Sequence, residues 1–152
     1  MEAAEPQYKV VLGVIGSDCH AVGNRIIATV LEQQGISVHN LGVMVSQDEF
    51  VDAAIDADAD AVLVSSIYGH GEIDCDGLRT RCVERGISDI LLYIGGNLVI
   101  GKRDFSEISS LFRGMGFDRV CHPREDLIDV AAVLKDDIVQ RRTLQEGTRI
   151  SA

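Results

Sequence analysis

The chain has 152 residues, a length typical of a single domain, and 46% of them are hydrophobic, which is enough to bury a core. The formal net charge of -10 makes nucleic acids and anionic membrane surfaces poor partners. No apolar run reaches the ~20 residues of a membrane span and none has the form of a secretory signal, so we expect a cytoplasmic protein.

Apolar runs that are typical of buried strands alternate with amphipathic segments that are typical of helices. In chain order, the pattern predicts a strand at 8–16, a helix at 23–34, a strand at 37–41, a helix at 47–57, a strand at 61–65, a helix at 76–85, a strand at 90–94, a helix at 104–115, a strand at 119–121 and a helix at 126–140. Three of these helices are followed by a glycine, the residue preferred where a helix ends, at Gly35, Gly86 and Gly116.

The predicted strands are continuously apolar, which indicates an α/β fold whose parallel sheet is covered by helices on both faces. Right-handed crossovers leave few topologies, and we expect the flavodoxin-like, doubly wound order 2-1-3-4-5 of a Rossmann-type fold with five strands. The sequence predicts one domain over residues 1–142. Residues 143–152 have no apolar periodicity and are predicted to form a flexible tail.

Ligands of such sheets bind beyond the carboxyl ends of the strands, which directs attention to the loops after the first, third and fourth strands. The first loop contains Asp-x-His-x-x-Gly, formed by Asp18, His20 and Gly23. A neutral imidazole at His20 can bind a metal through one ring nitrogen while Asp18 fixes the other, and Gly23 leaves space for a large ligand. Taken alone, so short a pattern also fits an Asp helix cap beside a surface histidine.

The second and third loops are rich in residues that let a ligand approach the backbone. In the second, Ser65 and Ser66 supply hydroxyl groups ahead of Ile67 and Gly69. The third reads Gly95-Gly96-Asn97-Leu98-Val99-Ile100-Gly101, which predicts a slot lined by backbone and apolar side chains. It matches neither G-x-G-x-x-G nor a Walker sequence. Each loop alone fits an ordinary strand-to-helix turn, but three such loops at one crevice favour a ligand site.

The remaining histidines and cysteines have structural interpretations. His39 is predicted to lie on a strand edge, and Cys75 and Cys82 are predicted to be small core residues. Cys121 and His122 are adjacent and cannot form a closed metal site alone, and the absence of a CxxC pair argues against zinc.

The three loops resemble those of cobalamin-binding domains of the base-off, His-on type, which carry Asp-x-His-x-x-Gly, Ser-x-Leu and Gly-Gly in this order. The corresponding segments here are Asp18-Cys19-His20-Ala21-Val22-Gly23, Ser65-Ser66-Ile67, where Ile67 replaces leucine, and Gly95-Gly96. From about Val10 to Cys121 the chain is more closely similar to the small (sigma) subunits of glutamate mutase, also called methylaspartate mutase, through VLGVIGSDCHAVGN, VSSIYGHGEIDC and LLYIGGNLVIGK.

This resemblance implies a subunit of an adenosylcobalamin-dependent isomerase that converts L-glutamate into L-threo-3-methylaspartate by radical chemistry. It implies that His20 is the axial cobalt ligand, that Asp18 holds its imidazole, and that the second and third loops hold the displaced nucleotide base. The cofactor-binding residues that it implies are Ser17, Asp18, Cys19, His20, Ala21, Val22, Gly23, Ser65, Ser66, Ile67, Gly69, Gly95, Gly96, Asn97, Leu98, Val99, Ile100 and Gly101.

The sequence lacks a cluster of arginines for two substrate carboxylates, and radical chemistry needs a site that excludes water. The resemblance implies that a large (epsilon) subunit supplies both, in a two-plus-two heterotetramer, so this chain should be inactive alone.

Two neighbouring functions stay open, namely a methyl-carrying corrinoid protein and the B12 domain of another mutase. We expect a mutase subunit rather than a methyl carrier, because methyl carriers usually bring a helical cap domain ahead of this fold. A phosphorelay receiver is disfavoured because Ser65 stands where its phosphate-accepting Asp belongs, and a flavin module because Asp18 would repel phosphate.

Overall fold

The computed structural model describes residues 8–16, 21–66, 71–96 and 104–151. Strands and helices alternate in it as the sequence predicts. In chain order, the elements are β1 (Tyr8–Val14), α1 (Ala21–Gln33), β2 (Ile36–Asn40), α2 (Gln47–Asp56), β3 (Ala61–Ser65), α3 (Gly71–Cys75), α4 (Leu78–Glu84), β4 (Leu91–Gly95), α5 (Phe105–Gly114), β5 (Arg119–Val120) and α6 (Leu127–Ser151).

The five strands form one sheet in the order β2-β1-β3-β4-β5, and all four pairings are parallel. The predicted fold class and strand order are therefore confirmed. The chain leaves β1 towards β2 on one side and returns to β3 on the other, so the strand order reverses beside the carboxyl end of β1. This is the position where ligands of open α/β sheets bind.

Two apolar layers hold the helices against the sheet, because successive strand residues point to opposite faces. On one face, Val62 and Leu92 belong to a cluster with Phe50 of α2 and Phe112 of α5. The other face packs against α1 and α6 through a smaller cluster: Val10, Leu12, Ala28, Leu31, Ile36, Ala61, Leu63, Tyr93, Ala131, Leu134 and Ile138. Helices α1 and α6 therefore lie side by side on the same face of the sheet.

The helix predicted at 76–85 corresponds to α4, which begins only at Leu78. A further short helix, α3, lies before it at Gly71–Cys75 and was not predicted. Gly77 separates them in a left-handed conformation with φ of 86°, which interrupts regular α-helix and is readily adopted by glycine. The buried side chains of Cys75 and Leu78 nevertheless attach both helices to one apolar layer.

The last helix continues to Ser151, well beyond the predicted end at Gln140, and it includes residues that the sequence predicted to form a flexible tail. Its extension is attached by polar contacts, which apolar periodicity does not detect. Arg142 donates to the buried carboxylate of Asp60 from Nε at 3.1 Å and from Nη2 at 2.7 Å. Arg141 donates from Nε to the carbonyl oxygen of Asp89 at 2.9 Å, and Gln145 bonds the carboxylate of the same residue at 2.5 Å.

Candidate functional site

The ends of the three central strands lie in one row across the sheet. Val14 of β1 is paired with Ser65 of β3, which is in turn paired with Gly95 of β4. The backbone continues this row for one more residue, since Ile15 N donates to Ser65 O at 3.0 Å and Ser66 N donates to Gly95 O at 3.1 Å. The three loops singled out in the sequence therefore begin side by side.

Gly16 begins the first loop and has no room for a side chain. Its φ is +75°, and a Cβ atom built on it would lie 2.3 Å from Oδ2 of Asp74 in α3. Its N–H donates to the carbonyl oxygen of Val45 at 2.9 Å. The next four residues, Ser17, Asp18, Cys19 and His20, lie outside the described residues, so their predicted roles stay predictions.

Gly96 requires glycine in the third loop for a similar reason. Its φ is +105°, and a Cβ atom would lie 2.2 Å from the carbonyl oxygen of Ser66. The missing side chain thus brings the second and third loops into backbone contact. Both Ser65 and Ser66 are buried at this junction. Ile67, Gly69 and the segment Asn97-Leu98-Val99-Ile100-Gly101 lie outside the described residues.

A slot with a cavity volume of about 470 Å³ lies at these strand ends, between α1 and the chain that leads from β5 into α6. Four of the predicted site residues line it, namely Gly23, Ser65, Gly95 and Gly96. Ala21 and Ser66 are not among its lining residues, and Val22 is 74% exposed at the start of α1. The walls are mostly apolar, and the lining residues that sequence reasoning did not assign to the site are Leu12, Ile26, Ile27, Leu31, Leu63, Val64, Tyr93, Ile94, Cys121, His122, Pro123, Glu125, Leu127 and Val130.

Tyr93 lines the sheet side of the slot and is held by a fixed hydrogen bond. Its hydroxyl donates to Asp137 of α6, and Arg119 of β5 donates to the same carboxylate from Nε at 3.0 Å and from Nη2 at 3.1 Å. Burial, with the carboxylate of Asp137 next, raises the pKa of Tyr93 far above its usual range. Burial alone would raise the pKa of Asp137, but the hydrogen bonds from Arg119 and Tyr93 outweigh it and lower that pKa. The phenol is therefore neutral and oriented.

Cys121 adds a second neutral group to the slot. Burial, reinforced by the negative charge of Glu125, raises the pKa of its thiol to about 11. Among the described lining residues, Glu125 is the only Asp or Glu, and none is Lys or Arg. A largely apolar slot without a cationic side chain among its described lining residues suits a flat aromatic ring better than a free phosphate.

The other cysteines and His39 behave as the sequence predicts. Cys75 and Cys82 are buried in the core, and burial raises the pKa of both thiols, that of Cys75 to about 12. His39 is exposed on the edge strand β2, away from the slot. Across the described ranges, no group of three His, Cys, Asp or Glu residues could hold a metal ion. The helices in those ranges also include none that is long and apolar enough to cross a membrane.

Comparisons with known proteins agree with this geometry. Residues 8–128 match the family described as the B12 binding domain. The chain is 58% identical over 141 residues to the glutamate mutase sigma subunit of Escherichia coli O157:H7, with 93% of each chain covered. It is 63% identical over 129 residues to the glutamate mutase sigma subunit of Yersinia enterocolitica serotype O:8 / biotype 1B, covering 85% of this chain and 87% of that one. A cobalamin-binding protein from Desulfitobacterium hafniense DCB-2 shares the fold, with a TM-score of 0.70 at 20% identity over 87% of this chain and 59% of that chain.

Proposed function

The chain belongs to the B12-binding domain family and, within it, to the glutamate mutase sigma subunits, and from this premise we propose that it binds adenosylcobalamin as the small subunit of a glutamate mutase. The observation that carries the proposal is the apolar slot at the carboxyl ends of β1, β3 and β4, lined by Gly23, Ser65, Gly95 and Gly96. The family resemblance implies that the loops carrying Ser65, Gly95 and Gly96 hold the displaced nucleotide base, and ligands of open α/β sheets bind at this end of the strands.

The residues present fit the nucleotide tail of cobalamin. Its dimethylbenzimidazole base is flat and mostly apolar, and Leu12, Leu63 and Tyr93 supply apolar side chains on the sheet side of the slot. The lack of a side chain at Gly96 lets the second and third loops meet beside the slot, where a Cβ atom would collide with the backbone of Ser66. Burial of the base here would leave the lower face of cobalt available to a protein ligand.

In this proposal His20 is that ligand, and Asp18 holds the second ring nitrogen of its imidazole. A carboxylate in that position fixes the tautomer of a metal-bound histidine and raises its basicity. Val22 and Gly23 lie in the first turn of α1, and Gly23, three residues after His20 in the sequence, lines the slot. Adenosylcobalamin held in this way would supply the radical chemistry that a carbon-skeleton rearrangement needs.

The proposed reaction converts L-glutamate into L-threo-3-methylaspartate in the cytoplasm. Arg79 of α4, Arg119 of β5 and Arg142 of α6 each bind a carboxylate of this same chain. We therefore assign substrate binding and water exclusion to a large subunit, which would cover the cofactor from the side opposite this chain.

Reconstitution tests this function. The purified chain, mixed with adenosylcobalamin and a glutamate mutase large subunit, should form 3-methylaspartate from L-glutamate, and neither subunit should do so alone. His20→Ala should weaken cobalamin binding and abolish turnover, whereas the matched change His39→Ala, on the exposed strand edge, should alter neither. Absence of both cobalamin binding and turnover in the wild-type mixture would overturn the proposal.

A further inference from the structure

The chain that follows β5 brings His122 to the rim of the slot. Cys121 N donates to Ile94 O at 2.7 Å, which continues the sheet ladder beyond Val120. A Cβ atom built on Gly95 would lie 3.4 Å from the Cβ of Cys121, so this chain lies directly beside the Gly95–Gly96 turn. His122 is the next residue, it is half-buried, and it lines the slot with Gly96.

The imidazole of His122 is held by two contacts, and its backbone N–H by a third, within the described structure. Its Nδ1 accepts a hydrogen bond from Arg124 N at 3.0 Å, and its backbone N–H donates to Oε1 of Glu125 at 2.9 Å. Its ring meets that of Phe105 edge to face, with the centroids 4.7 Å apart and the planes at 68°. Since Nδ1 accepts, the neutral ring carries its hydrogen on Nε2, and that atom is a hydrogen-bond donor.

The other polar side chains that line the slot do not offer a strong hydrogen-bond donor like Nε2–H of His122 at the rim. The hydroxyl of Tyr93 is already bonded to Asp137, and the carboxylate of Glu125 can only accept and would repel an anion. Cys121 is a weak donor, and Ser65 lies within the row of strand ends. His122 therefore offers the strong side-chain donor at the rim among the described lining residues.

The order of groups in cobalamin determines which of them passes this rim. The nucleotide tail runs from the base through ribose and a phosphodiester to the corrin side chain. With the base inside the apolar slot and the corrin outside it, the phosphodiester must lie near the mouth, where its charge remains hydrated and can accept hydrogen bonds.

We propose that Nε2–H of His122 donates a hydrogen bond to the phosphodiester of the cobalamin nucleotide tail, and so fixes the tail in the slot. This inference rests on the cobalamin binding proposed above. It assigns the β5–α6 loop a part in recognising the tail in addition to the three loops found from the sequence.

Equilibrium binding to the complete chain, followed by absorption spectroscopy, tests the proposal with three probes. Cobalamin carries the whole nucleotide, cobinamide phosphate ends at the phosphate, and cobinamide lacks it. His122→Ala should weaken the binding of the two phosphate-containing probes by about 10- to 100-fold, the range for loss of a hydrogen bond to a charged group. Cobinamide binding should be unchanged, which also shows that the variant is folded.

Two further variants make the test specific. His122→Gln retains an N–H donor near the position of Nε2 and should recover most of the lost affinity. His39→Ala removes an exposed histidine on the opposite edge of the sheet and should change nothing. Loss of affinity for cobalamin alone, equal losses for all three probes, or no loss at all would overturn the proposal. If wild-type chain bound no cobalamin, the proposed function itself would fail instead.

Discussion

At Gly96 a single hydrogen atom in place of a side chain determines whether two loops of the slot can touch. Gly96→Ala places a Cβ atom 2.2 Å from the carbonyl oxygen of Ser66, at a φ of +105° that other residues rarely adopt. We expect the free energy of unfolding to fall by about 1–3 kcal/mol and cobalamin affinity to fall with it. Chemical denaturation and a binding titration measure the two effects.

Gly114→Ala is the matched control for this change. Its Cβ atom would meet nothing within 4 Å, and Gly114 is the last residue of α5. Removing a glycine from a helix leaves stability unchanged or raises it by about 0.5–1 kcal/mol. Equal stabilities of the two alanine variants would show that the Gly96 turn tolerates a side chain.

Cys75 makes stability depend on pH on the alkaline side. Burial, with the negative charge of Asp74 beside it, raises the pKa of this thiol to about 12, whereas a thiol in an unfolded chain titrates near pH ~8.5. The contribution of Cys75 is therefore fully present below the unfolded pKa and is lost as pH rises through the folded one. Between the unfolded and the folded pKa of this thiol, each unit of rising pH lowers the folding equilibrium constant by roughly tenfold.

Replacement of the thiol isolates its contribution. Urea denaturation of Cys75→Ala, measured from neutral to alkaline pH, should give a free energy of unfolding that depends less steeply on pH than that of the wild type. The cavity left by the missing thiol lowers the stability of the variant at every pH and does not affect this comparison of slopes. Parallel curves would mean that the thiol ionises equally in both states.

At the scale of elements, sequence patterns located the strands well because burial on both faces demands continuous apolar residues. Strand β3 begins and ends as predicted, at Ala61 and Ser65. The helices were harder, since Gly77 delays the start of one predicted helix to Leu78 and polar anchors extend another beyond its apolar periodicity. Such anchors depend on residues distant in the chain, as the bond between Arg142 and Asp60 shows.

Only part of the slot could be predicted from the sequence. The three loops after β1, β3 and β4 carry recognisable glycines and hydroxyls, and strand order alone brings them together. The β5–α6 loop carries no motif, and its strand has only two residues, so His122 and Glu125 gave no comparable signal. The predicted order 2-1-3-4-5 already places the end of β5 beside that of β4, and this neighbourhood was the available clue.

The anchor of α6 predicts a local effect of Asp60→Asn. Asp60 is buried, accepts from Lys9 N at 3.0 Å, and faces both Arg141 and Arg142. Loss of its charge should reduce stability by about 1–3 kcal/mol. It should also accelerate amide hydrogen exchange in the last third of α6, while the apolar segment around Leu134 stays protected.

Asp56→Asn removes an exposed carboxylate from the end of α2 and serves as the control, with no expected change in exchange. Equal amide exchange rates along α6 in Asp60→Asn and in the wild type would show that the C-terminal part of α6 is held by something other than this anchor.

At the scale of the whole molecule, the fold supplies one side of a site that the proposed function requires to be closed by a second protein. Native mass spectrometry of the chain mixed with the large subunit and cobalamin should therefore show two copies of each, the assembly proposed for this family member. If this chain stayed monomeric in the presence of the large subunit and cobalamin, the proposed assembly would be wrong. The proposed binding of cobalamin would not be affected by that result.

The most direct measurement of the central claim is paramagnetic resonance of the cob(II)alamin form bound to this chain, prepared with histidine that carries the heavy nitrogen isotope. We predict that labelling changes the nitrogen splitting of the cobalt signal, that His20→Ala abolishes the change, and that His39→Ala preserves it. A splitting that is insensitive to labelled histidine would show that the cofactor keeps its own base on cobalt, and would contradict the account of the slot as well as that of His20.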